Sequence, residues 1–200
     1  LARPQAPDYA DRREAMLGSA AALYATHGFL GASIADLAHA SGVSKSLLYH
    51  YFGSKEDILF EIMLDHVEAL KAMVDEVLKD APADPAARLA RLTRGFLGLY
   101  VGASDRHKVL VNDLDKLPTA RRRKVVRIER ELIDLVGDLL AELGPRYGIN
   151  RAERRASTML YFGMINWTHT WFEPDGPVKA TELADRATAI FLGRDSLATD

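Results

Sequence analysis

The chain has 200 residues, of which 48% are hydrophobic and 27% charged, so it is long enough for a full core and too apolar for a disordered segment. It has no cysteine, which excludes a disulfide framework, a thiolate nucleophile and a Cys-ligated metal or cluster. No apolar run approaches the roughly 18 residues of a membrane span, and the opening LARPQAPDYADRRE lacks a signal-peptide core, so the expected location is cytoplasmic. The formal net charge of −2 means that any nucleic-acid binding must arise from local chemistry.

Ala and Leu dominate and no stretch sustains the alternation of a strand, which predicts an all-α fold. A first helix spans about 9–27, with Ala15, Ala22 and Leu23 on its apolar side, and Gly28 and Gly31 close it. Ser33 with Asp36 has capping-box spacing and opens a short helix that Gly42 ends. Ser44 opens a second short helix through Phe52, before Gly53. Ser54 with Asp57 caps a long helix to about Asp80, carrying Ile58, Ile62, Val67, Leu70 and Val74.

Pro82 and Pro85 mark a break, and Asp84 before Pro85 is an N-cap followed by a first-turn proline. That helix runs to about Gly102 and a short one fills 105–115. Pro118 and Thr119 restart the chain into a long helix ending near Gly144 and Pro145. Asn150 with Glu153 opens another, to about Phe172; EPDGPV at 173–178 is a loop, and a last helix covers about 180–192. The nine helices divide into a front unit at 1–53, a connecting helix at 54–80 and a bundle at 81–200.

The segment IADLAHASGVSKSLLYHYFG, 34–53, has the pattern of a helix-turn-helix. Gly42 permits the tight turn, Ala38 four residues earlier permits close helix crossing, and Ile34, Leu37, Val43, Leu48 and Phe52 supply apolar contacts. In such a motif the second helix enters the DNA major groove. Ser44, Lys45 and Ser46 sit at its amino end, where free amides and the helix dipole favour phosphate. Tyr49 and His50 follow one turn later, Lys55 starts the next helix, and Arg12 and Arg13 open the first. Residues 1–55 hold five basic and four acidic side chains, so the cations matter by position rather than by number. A plain helical hairpin is the alternative on spacing alone.

The run SIADLAHASGVSKSLLYHYFGSKEDIL resembles the amino-terminal DNA-binding domain of the TetR family of transcriptional repressors. The similarity covers about residues 12–60, with Ser33 where Thr is commoner and Tyr51 where His is commonest. Chain length and helix order fit the same family. The resemblance implies a homodimer whose paired recognition helices bind a palindromic double-stranded operator, and a C-terminal bundle for ligand binding and dimerisation. Carried over by motif position, it implies a DNA-facing set of Ser44, Lys45, Ser46, Tyr49, His50, Tyr51 and Lys55, with core packing the alternative for Tyr51; Arg12, Arg13 and Ser33 complete the candidate DNA-binding residues. It also implies that helices at about 151–172 and 180–192 form the dimer interface. The helix 54–80, which begins with Lys55 and ends at the bundle, is the natural lever between the two sites.

The bundle offers no catalytic or metal constellation. His27, His39, His50, His66, His107 and His169 have no metal-ligand spacing, no Gly-rich phosphate loop is present, and Asp113 with Asp115 reads as a solvated helix end, so enzyme function and cofactors are not expected. The segment MLYFGMINWTHTWFEPDGPV, 159–178, is rich in aromatics, and Trp167 and Trp171 are spaced i,i+4. It resembles the C-terminal domain of a TetR subset that regulates steroid-ring, phenylacetate and fatty-acid catabolism and responds to acyl-CoA thioesters. That resemblance makes Tyr161, Met164, Trp167 and Trp171 candidate ligand residues, interface packing being their alternative. The run RRRKVVRIER, 121–130, holds six basic side chains and one acidic. It reads as the wet face of a helix, as a second nucleic-acid site, or, through Arg121, Arg122, Arg123 and Lys124, as a partner for coenzyme A phosphates. The sequence thus describes a repressor released from its operator by a small molecule, an acyl-CoA thioester. A multidrug sensor of the same family and a helical acyl-CoA carrier or enzyme are the alternatives.

Overall fold

The computed structural model describes residues 8–144 and 153–193, and among them there are nine α-helices and no strand. They are α1 (Asp8–Gly31), α2 (Ile34–Ala40), α3 (Lys45–Tyr51), α4 (Lys55–Lys79), α5 (Pro85–Gly102), α6 (Ser104–Asp113), α7 (Thr119–Leu143), α8 (Arg154–Asn166) and α9 (Ala180–Phe191). The chain forms two compact units. One comprises residues 1–66 and 105–125, the other 67–104 and 126–200, so α4 and α7 each contribute to both.

In the first unit the caps form as their spacing requires. Ser33 Oγ accepts from the Asp36 N–H while Asp36 accepts from the Ser33 N–H at 2.8 Å, a reciprocal capping box at α2. Ser54 Oγ accepts from the Asp57 N–H at 3.0 Å and holds the first turn of α4. The core gathers Leu17, Tyr24, Leu37, Leu48, Ile58, Leu59 and Ile62, all essentially inaccessible.

The buried stripe of α1 differs from the sequence expectation. Met16, Leu17, Ala20, Ala21 and Tyr24 face inward, whereas Ala15 and Ala22 are exposed and Leu23 is half-buried. Alanine occurs on every side of this helix and does not mark a face; the two large residues, Leu17 and Tyr24, set its rotation. The helix also continues one turn past the expected stop, across a kink at Gly28 with φ 71° and ψ 159°. Asp113 corrects a second expectation. It is 7% exposed, and its carboxylate accepts the Phe29 N–H at 3.1 Å, tying the end of α6 to the last turn of α1. Only Asp115 lies in solvent, bonded to Lys116 at 2.7 Å.

The second unit is organised around α5. Asp84 caps it by accepting from the Ala87 N–H at 3.1 Å, with Pro85 at the first helical position. Phe96 on α5 meets Phe162 on α8 edge-on at 5.6 Å, and both sit in a core with Leu89, Leu92, Val136, Leu140 and Ile165. Tyr161 is fully buried, and its hydroxyl pairs with Thr93 Oγ1 at 2.9 Å, so neither polar group is stranded. The face of α9 bearing Ala184 and Ala187 packs closely on α5, and Gly137 on α7 admits α8: a Cβ there would lie 2.8 Å from Arg154 Nε and 3.0 Å from Thr158 Oγ1.

The expected helix from Asn150 to Phe172 is shorter than its composition suggested. Asn150 lies outside the described residues, Glu153 makes no side-chain cap bond, and α8 ends at Asn166 in a 3-10 turn, Trp167–Thr170. Thr168 Oγ1 donates to the Ile165 carbonyl at 2.7 Å and Thr170 Oγ1 to the Trp167 carbonyl at 2.8 Å. Side chains that bond the backbone three residues back compete with the α-helical ladder, and Pro174 follows closely. Trp167 and Trp171 therefore do not share an α-helical face.

His66 on α4 and His107 on α6 are both 2% exposed, and their rings meet with Nε2 and Nδ1 3.2 Å apart. Burial, and then the Arg106 guanidinium, push the His66 pKa from 6.5 down to about 4. The unfolded chain therefore binds a proton between pH 6.5 and 4 that the folded chain refuses, and stability falls as pH drops through that window. About 3 kcal/mol is at stake, from roughly 1.4 kcal/mol per pKa unit. Urea denaturation at pH 7 and pH 4 should show His66→Phe losing less stability on acidification than the wild type, by a difference of that order.

Candidate nucleic-acid interface

The helix-turn-helix is closed by backbone hydrogen bonds. The Val43 N–H donates to the Ala38 carbonyl at 2.9 Å and the Gly42 N–H to the His39 carbonyl at 3.0 Å, with Gly42 at φ 65°. Any Cβ at that φ is strained, which is why glycine occupies it. Leu37, Ala38, Leu48 and Phe52 are buried between α2 and α3, while Ile34 and Val43 are half-buried at the edge. Ser44 caps α3 by accepting from the Leu47 N–H at 3.1 Å. With its inner face packed, α3 exposes Lys45, Ser46, Tyr49 and His50, along with the cap Ser44. Tyr49 is 52% exposed, high for a large aromatic side chain.

The remaining expected contacts divide by their surroundings. Lys55 is half-buried at the first turn of α4, its Nζ 4.1 Å from the Phe29 ring centroid and 5.9 Å from that of Tyr24. The two rings hold the ammonium at an amide-rich helix start. Tyr51 stacks on Tyr9 with centroids 4.4 Å apart and is half-buried, so packing between α1 and α3 accounts for its position. Arg13 is ion-paired with Glu61 and lies over the Phe52 ring. Burial raises the Glu61 carboxyl above the usual carboxylate range, with Arg13 pulling the other way. Ser33 is exposed but its hydroxyl is taken up by Asp36 at 2.6 Å, and Arg12 is exposed on α1.

The expected ligand residues fall in both units. Arg121 is ion-paired with Asp57 in the first unit, Arg122, Arg123 and Lys124 are exposed, and Lys124 lies 5.7 Å from the Phe60 ring centroid. Tyr161, Met164, Trp167 and Trp171 belong to the second unit. There Tyr161 is core, Met164 packs beside it, and the tryptophans are 64% and 54% exposed. Residues outside the candidate ligand set form a groove in the second unit, between α7 and α8, with a volume of about 710 Å³. Val126, Glu129, Arg130, Ile133 and Asp134 line it from α7, and Arg154, Arg155, Thr158 and Met159 from α8. The i, i+3, i+4, i+7 spacing of 126, 129, 130 and 133 is a legible sign of one face on α7.

The profile of the bacterial regulatory proteins of the tetR family matches residues 17–62, and that of the tetracyclin repressor-like C-terminal domain matches 82–194. The chain belongs to the TetR family. Its relatives include the HTH-type transcriptional repressor KstR2 of Mycolicibacterium smegmatis, 27% identical over 195 residues, covering 92% of this chain and 90% of that protein. A TetR-family transcriptional regulator from Bordetella parapertussis is 40% identical with TM-score 0.85, covering 90% of this chain and 93% of its own. The regulator AibR, solved with isovaleryl coenzyme A and operator DNA, is 25% identical with TM-score 0.79, covering 90% of this chain and 97% of its own. This TetR protein is thus a DNA-binding transcriptional repressor, a homodimer on operator DNA that responds to a small-molecule effector, from a family of regulators rather than enzymes. Among the described residues no helix is long and apolar enough to cross a membrane.

Two substitutions in this TetR domain separate contact from scaffold. Lys55→Ala is expected to flatten the log–log salt dependence of operator binding by about 0.9 for each phosphate that the lysine neutralises. Arg13→Ala is expected to lower the denaturation midpoint and leave that slope unchanged. Anisotropy titrations over a salt series, beside urea melts, check both.

Proposed function

We propose that this repressor is released from its operator by an acyl-coenzyme A thioester, and that Ser44, Lys45, Ser46, Tyr49, His50 and Lys55 make the operator contacts. The carrying observation for the effector is the likeness to AibR along nearly the whole chain, since that protein was solved with both isovaleryl coenzyme A and operator DNA. The groove of the second unit adds support, because its size falls within the 300–1,000 Å³ usual for small-molecule sites and Arg130 and Arg155 stand on its walls. For the DNA contacts, support comes from the exposure of that face of α3 and from the free amides at its amino end. α4 starts at Lys55 and continues into the second unit, so displacement of its far end is transmitted along a single helix. A chromosomal regulator of this kind works in the cytoplasm.

The dimer contact we assign to α8 and α9. Met159, Leu160, Trp167 and Ile190 are 50%, 71%, 64% and 52% exposed in the single chain, an apolar surface that a partner copy would cover. Leu160→Glu with Ile190→Glu is expected to give a monomer in sedimentation at micromolar concentration and to abolish tight operator binding. An unchanged dimer would move the interface elsewhere.

The effector reading is checked by operator release with a thioester panel beside the matching free acids and coenzyme A alone. Thioesters are expected to release the operator at concentrations at least tenfold below those of the acids. Equal potency of acid and thioester would discard the coenzyme A part. Release by cationic drugs alone would favour a multidrug sensor.

A further inference from the structure

We infer that the α7–α8 groove is the coenzyme A subsite, with Arg130 and Arg155 holding its phosphates and Glu129 accepting an amide N–H of the pantetheine arm. This rests on the thioester reading above and replaces Arg121–Lys124 as its phosphate partners, because Arg121 is already ion-paired with Asp57.

The charges in the groove are unevenly committed. Arg154 is bound to Asp138 at 2.8 Å, lies 3.7 Å from Asp134 and donates to the Asp134 carbonyl at 3.2 Å. Its guanidinium is therefore neutralised and fixed. Arg130 and Arg155, from the two facing helices, are exposed and make no ion pair or hydrogen bond among the described residues. Two uncommitted guanidinium forks on opposite walls suit a ligand with several phosphate oxygens, since each fork binds such oxygens in pairs. Such charges remain at a water-exposed rim, where no burial cost arises.

Glu129 is the other unexplained group. It is only partly accessible, has no ion pair among the described residues, and burial pushes its carboxyl above the usual carboxylate range. A half-buried carboxyl that interacts with the buried Tyr100 but has no hydrogen bond or ion pair among the described residues supplies an unused acceptor inside the groove. Coenzyme A carries two amide N–H groups between its phosphates and its sulfur, so an acceptor one residue from a phosphate-binding Arg matches the order of groups along the molecule. Val126, Ile133 and Met159 supply the apolar wall of the same groove. Its α7 side runs from Val126 to Ile133, about 10 Å at 1.5 Å per residue, enough for the arm of the ligand rather than all of it.

The test uses the full-length dimer, isothermal titration with coenzyme A and with acetyl-, isovaleryl-, octanoyl- and phenylacetyl-coenzyme A, and operator anisotropy without effector as the check on folding. Arg130→Ala with Arg155→Ala is expected to weaken coenzyme A and every binding thioester at least tenfold, leaving effector-free operator affinity unchanged. Glu129→Leu is expected to weaken the same ligands, and Glu129→Gln, which keeps a carbonyl acceptor, to restore most of the loss. A control, Arg122→Ala with Arg123→Ala, is expected to change nothing. Wild-type binding that survives the Arg130 and Arg155 substitutions overturns the subsite and leaves the thioester reading standing. No binding of any of these ligands by the wild type overturns both.

Discussion

The DNA-binding unit depends on one turn. Gly42 at φ 65° lets the Val43 N–H reach the Ala38 carbonyl, and that short link fixes how α3 crosses α2. Everything on α3 follows from this crossing. Leu48 and Phe52 fall into the core, and Lys45, Ser46, Tyr49 and His50 are left facing water on the opposite side. The exposed set is modest in charge, in keeping with a chain of net charge −2. A helix amino terminus with one lysine and two serines concentrates its donors where a phosphate or base edge can use them, and it does not require a basic domain. A branched residue at 42 would strain the turn and move the whole face at once.

The second unit solves a different problem. Its core is conventional: aromatic edges around Phe96 and Phe162, one satisfied hydroxyl pair at Tyr161 and Thr93, and alanines where α9 meets α5. Its apolar excess lies outside, on α8 and α9, and its uncommitted cations line the groove of α7 and α8. On the proposals above, the outer surface would serve a second copy of the chain and the groove the effector. Met159 is exposed on α8 and also lines the groove.

Local signals in the sequence are dependable. The caps at Ser33, Ser44, Ser54 and Asp84 are contacts within three residues, and each forms as its spacing requires. The stripe Ile58, Ile62, Val67, Leu70 and Val74 on α4 is wholly buried, because large apolar residues on a long helix define one face unambiguously. Sequence and structure part where that information is missing. Alanines on all sides of α1 do not set its rotation. The end of α8 depends on threonine hydroxyls choosing backbone carbonyls, a competition that composition does not resolve. Asp113 and the His66–His107 pair are defined by partners 84 and 41 residues away. The groove needs the close approach that Gly137 permits between α7 and α8, and the basic run is densest at its beginning, which draws attention away from Arg130 at its end.

The central claim is that paired α3 helices of a homodimer bind two half-sites on one face of the duplex. Hydroxyl-radical footprinting of the full-length protein on its operator tests this most directly. Two protected blocks related by a dyad are expected, their centres about 34–36 Å or a multiple of one helical turn apart. Both blocks should fade together when Gly42→Val distorts the turn. A single protected block, or protection that survives Gly42→Val at full strength, would contradict it.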